Sequence, residues 1–66
     1  MQTNYTIGLT QYDNEREMWE THVGELNEAG TPTKLRYSVW GLSESLSRDR
    51  AAHLINILQY ALNNRK

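Results

Sequence analysis

His22 and the carboxylates around it are the first residues that could do chemistry. Glu15, Glu25 and Glu28 lie within seven residues of it. On a helix, His22 and Glu25 are i,i+3 neighbours and Glu15 lies two turns away. Imidazole and carboxylate are ordinary ligands for a divalent ion. The simpler reading is a histidine at the edge of an apolar arc with its polar tip in water, and it is preferred. His53, beside Arg50, is the other titratable candidate. A general base also needs an orienting partner and a pocket. A 66-residue chain has little room for the usual cleft of roughly 300–1,000 Å³. No nucleophile elbow, P-loop, dinucleotide fingerprint, EF-hand or zinc-ligand spacing occurs. The expectation is a non-enzymatic chain with no metal and no cofactor.

Charge is distributed unevenly. Residues 1–33 carry a net −5 and residues 34–66 a net +4, within an overall charge of −1. Two surfaces follow. Asp13, Glu17, Glu20 and Glu28 could present carboxylates to a basic partner, as inhibitors that imitate phosphates do, with electrostatic steering as the physical basis. Lys34, Arg36, Arg48, Arg50, Arg65 and Lys66 could contact nucleic acid, with Trp40 and Tyr60 available to stack on bases. The absence of a net basic excess argues against the second. Solvation of both charged faces is the simpler account.

Four segments must position these groups. Residues 4–11 alternate, with Tyr5, Ile7 and Leu9 on one face, and read as a strand. Residues 14–29 place Met18, Trp19, His22, Val23, Leu26 and Ala29 on one arc of a helical wheel. Asn14 with Glu17 forms a variant capping box, and Gly30 and Pro32 follow the last periodic residue. A helix is expected there, although Gly24, Thr21 and Val23 are poor helix formers. Residues 34–42 read as a strand with large apolar groups on both faces, hence the more central one. Residues 47–63 read as a helix capped by Ser47, with a stripe of Ala51, Leu54, Ile55, Leu58 and Leu62. The fold class is α+β, a small single domain over 1–66. The order β-α-β-α is expected, and the alternative is a three-stranded antiparallel meander plus a C-terminal helix, β-β-β-α, with residues 16–26 as the middle strand. That alternative resembles, in arrangement alone, double-stranded-RNA-binding and related sheet–helix modules.

Eight Leu, three Ile, two Val, two Met and two Trp supply one small core. There is no cysteine to staple it. A domain of this size buries only about 60% of its unfolded surface, and small unstapled domains often gain stability by association. A homodimer is therefore expected. The last helix also carries a second apolar strip of Ile57, Tyr60 and Ala61 with His53 on the same outer face. Together with Trp40 these are the candidate partner-binding residues, since Tyr and Trp are enriched at interfaces. The start, MQTNYTIGLTQ, has neither a basic nor an apolar signal region, and no run approaches the ~18–20 apolar residues of a membrane span. The expectation is a cytoplasmic protein-interaction module, a regulator or inhibitor of a larger protein, resembling small phage- and plasmid-type accessory proteins. The alternative is a nucleic-acid-binding regulator that uses the basic half.

Overall fold

The computed structural model describes residues 4–64. Strands β1 (Asn4–Asp13), β2 (Met18–Leu26) and β3 (Pro32–Gly41) form an antiparallel sheet in the order β1-β2-β3, followed by helix α1 (Glu44–Asn63). This is the α+β meander-plus-helix arrangement. The helix expected over 14–29 is not formed, and residues 18–26 are the central strand.

Local turn chemistry explains that correction. The Asp13 carboxylate accepts from the Glu15 and Arg16 backbone N–H groups at 2.8 and 3.1 Å. Glu17 then adopts a left-handed φ of 54°, which reverses the chain. At the other end, the Asn27 side-chain oxygen accepts from the N–H groups of Ala29 and Thr31 at 2.9 and 3.0 Å. Gly30 supplies a φ of 81°, readily reached without a Cβ. Side chains that bond the backbone a few residues on build turns as well as helix caps. Between the turns, β-branched Thr21 and Val23 suit a strand. A central strand packs both faces, so Met18 and Leu26 on one side and Trp19, Thr21 and Val23 on the other are compatible.

Two further expectations change. The 34–42 segment is an edge strand, paired on one side only. The alternation of the first strand breaks after Ile7, where Gly8 and Leu9 stand opposite His22: Ile7 pairs with Val23 and Thr10 with Thr21. This bulge sends Leu9 to solvent, 65% exposed. It brings Thr10 and Tyr12 onto the α1 side with Tyr5 and Ile7.

Helix α1 begins at Glu44, three residues earlier than expected. Ser43, not Ser47, is its N-cap, accepting from the Leu46 N–H at 3.1 Å. Ser47 instead lies fully buried against the sheet with Ala51, Val23 and Thr21. Small residues at this end let helix and sheet approach closely: a Cβ on Gly41 would lie 2.7 Å from the Ser47 nitrogen. Farther down, Leu54, Ile55, Leu58 and Leu62 are half-buried. Tyr5 and Tyr37 meet edge to face at 6.3 Å, although their strands are separated by β2, about 9.6 Å across. The two rings therefore lean together over the central strand.

Candidate functional site

Three surfaces emerge from this arrangement. The first is the helix–sheet seam, which holds a directed chain of hydroxyls. The Ser47 hydroxyl donates to the Glu44 carbonyl at 2.9 Å. Its oxygen must then accept from Thr21, 2.8 Å away. Thr21 in turn accepts from Thr10 at 2.9 Å, and Thr10 accepts from the Arg48 guanidinium at 2.7 Å. The carbonyl end fixes the direction, because a carbonyl only accepts and each hydroxyl has one proton to give; the guanidinium donation at the other end is compatible with it. Each hydroxyl has its proton committed within the fold, so the cluster is a structural tie between α1, β1 and β2. In the sequence Thr21 stands out only as a weak helix former and Ser47 only as a cap. Only the bulge at Gly8–Leu9 aligns Thr10 with them.

The second surface is the outer face of α1. Ile57 and Tyr60 are 52% and 72% exposed, and His53 and Ala61 are exposed with them. With residues 18–26 in the sheet, no other helix of the described chain lies over this strip. Near the C-terminal end, Ala61 also borders a notch of about 280 Å³ with Tyr5, Leu58 and Leu62.

The third surface is the face of the sheet turned away from α1. Since Thr21 and Val39 are paired on the helix side, alternation puts Met18, Glu20, His22, Gly24, Arg36, Ser38 and Trp40 on the opposite side. Trp40 is thus separated from Ile57 and Tyr60 by the thickness of the molecule. The Arg16 guanidinium lies 4.4 Å from the centroid of its ring, and Arg16 also pairs with Asp13 at 3.6 Å. His22 Nε2 stands 3.6 Å from a Glu20 oxygen. A groove of about 430 Å³ runs over Gly8 and Gly24 between Leu9, Leu26, Pro32 and Arg36.

The charged candidates are dispersed. Asp13 and Glu17 belong to the β1–β2 turn, Glu20 to the open sheet face and Glu28 to the opposite turn, so they do not share one helix face. Arg48 is tied to Thr10, and Arg50 donates to the Trp40 carbonyl at 2.8 Å. Lys34 and Arg36 lie on β3, and Arg65 and Lys66 lie outside the described residues. Glu25 is on the helix side of β2, where its carboxylate accepts from Thr33 at 2.8 Å, away from His22. Among the described residues no group of three or more His, Asp or Glu side chains is placed to hold a metal ion. No described helix is long and apolar enough to cross a membrane. Comparison with protein-family models, curated proteins and solved structures finds no match to this chain.

Proposed function

We propose that the chain is a non-enzymatic protein-interaction module, a regulator or inhibitor of a larger protein, that works as a homodimer in the cytoplasm. The observation that carries this reading is the exposed Ile57–Tyr60 strip on α1, where the two residues are 52% and 72% exposed. A large aromatic with a polar tip beside a branched aliphatic matches the composition of interface anchors. The helix beneath is held rigidly by the hydroxyl chain and by its own stripe, so the strip is presented without an ordering cost. The nucleic-acid alternative has less support. Arg48 and Arg50 are engaged with the sheet, and Glu20 interrupts the open face that carries Arg16, Arg36 and Trp40.

The test is affinity capture from an extract of the source cell, wild type against Ile57→Ser/Tyr60→Ala. The expected outcome is a specific protein partner retained by wild type and lost by the variant, with the variant's fold and oligomeric state unchanged. Equal capture by both, or a gel shift with nucleic acid at low salt that competes with the partner, refutes the reading.

A further inference from the structure

We propose that the open face of the sheet is the homodimer interface, its occupant a second copy of this chain packed face to face about a two-fold axis. The inference rests on the homodimeric reading above and specifies where the two copies meet.

The isolated chain is short of core. Among the described residues, Val23 and Ala51 are the buried hydrophobic side chains. Met18, Leu26 and Trp40 on the open face are only half-buried. An antiparallel sheet with a solvated outer face normally carries polar residues there. This one mixes polar residues, Thr6, Gln11, Glu20, His22, Arg36 and Ser38 among them, with the large apolar Met18, Leu26 and Trp40 and two glycines. Glycine inside a strand often marks a close approach of another backbone. At Gly24 the space is open, since an added Cβ would find its nearest neighbour 4.0 Å away, at a Thr6 methyl.

Glu20, which stands 3.6 Å from His22 Nε2 within its own sheet, and Arg36 carry opposite charge on this face. Glu20 pairs across the sheet with Trp40, His22 with Ser38, and Gly24 with Arg36. Glu20 and Arg36 therefore lie on either side of the His22–Ser38 row, in rows four residues or roughly 13 Å apart. A two-fold axis parallel to the sheet, crossing the strands at that row, superposes each Glu20 row on the other copy's Arg36 row. The Glu20 carboxylate of one copy then enters the space above Gly24 of the other, beside Arg36. Trp40, whose ring already carries the Arg16 guanidinium at 4.4 Å, is brought to the same row. The contact is isologous, so both pairs form at once. Arg36 is exposed and has no ion-pair partner among the described residues. The sheet face measures about 14 by 30 Å from standard strand spacing and rise, about 420 Å² in projection, which is the size of a weak, reversible contact and about half of a standard interface of about 800 Å² per partner. Both copies of the Ile57–Tyr60 strip remain on the outside of such a dimer.

The experiment is sedimentation equilibrium of the full chain, wild type, Arg36→Glu and Glu20→Arg, with circular dichroism to confirm folding. Wild type is expected to be a dimer. Each single variant is expected to weaken self-association at least tenfold, since like charges then face each other in both symmetric contacts. An equimolar mixture of the two variants is expected to restore a dimer of wild-type affinity, because one copy then carries two arginines and the other two glutamates at the facing positions. This recovery also shows that both variants are folded. A monomeric wild type overturns both the interface and the homodimeric reading. A dimer that survives the charge variants but dissociates in Ile57→Ser/Tyr60→Ala overturns the interface alone.

Discussion

Cutting the hydroxyl chain at Thr21 or Ser47 is expected to destabilise the fold through lost hydrogen bonds, with no change of shape. Thr21 and Ser47 are both 0% exposed, so water cannot replace a lost partner. Thr21→Val is nearly isosteric. It removes the 2.9 Å bond from Thr10 and the 2.8 Å bond to Ser47. Thr10, half-exposed, can turn its proton to solvent, but the Ser47 oxygen loses its donor. Ser47→Ala strands the Thr21 hydroxyl unless it reverses toward Thr10, and it gains about 0.5 kcal/mol of helix propensity in return. A buried group left without its partner costs about 1–3 kcal/mol, so each single variant is expected to lose about 1–2 kcal/mol. Both single variants lose the same Thr21–Ser47 bond, so the double variant should lose about 1 kcal/mol less than their sum. Urea titration at fixed protein concentration reads this directly. With a slope near 1 kcal/mol per molar for a small domain, each single midpoint should fall by about 1–2 M. Single variants within about 0.5 kcal/mol of wild type, or a strictly additive double variant, would refute the directed chain.

Gly41→Ala should destabilise by about 1–3 kcal/mol through overpacking. Its Cβ would meet the Ser47 nitrogen at 2.7 Å and Cα at 3.0 Å, backbone atoms that yield only if the helix start moves; chemical denaturation with amide shifts at 43–48 checks it. The two left-handed turn positions should respond in opposite senses. Gly30→Ala, at φ 81°, should lose about 1 kcal/mol, while Glu17→Gly, at φ 54°, should gain stability or hold it. Thermal melts of the pair test the turn assignments, and equal signs would contradict them.

The α+β class was legible, because strand alternation over 4–11 and the stripe from Ala51 to Leu62 are strong local patterns. The topology was harder to read for physical reasons. In residues 14–29 a central strand uses both faces, and its apolar residues also fall on one arc of a helical wheel. Asn14, Glu17, Gly30 and Pro32 match helix-end signals, yet here they belong to turns organised by Asp13 and Asn27. The strip of Ile57 and Tyr60 was visible in the sequence as a second apolar stripe, but its exposure depended on whether another helix covered it. Pairs such as Thr21–Ser47 and the rows of Glu20 and Arg36 depend on a bulge and on strand register, which no local sequence signal specifies.

The proposed dimer pairs the open faces of two sheets and leaves α1 outward. An isotope-filtered NOE experiment on a mixture of labelled and unlabelled chains measures this most directly. Intermolecular contacts should join Trp40 and Glu20 of one copy to Arg36 and Gly24 of the other, with none to Ile57 or Tyr60. Intermolecular contacts confined to the α1 strip, or no intermolecular contacts at millimolar concentration, would contradict it.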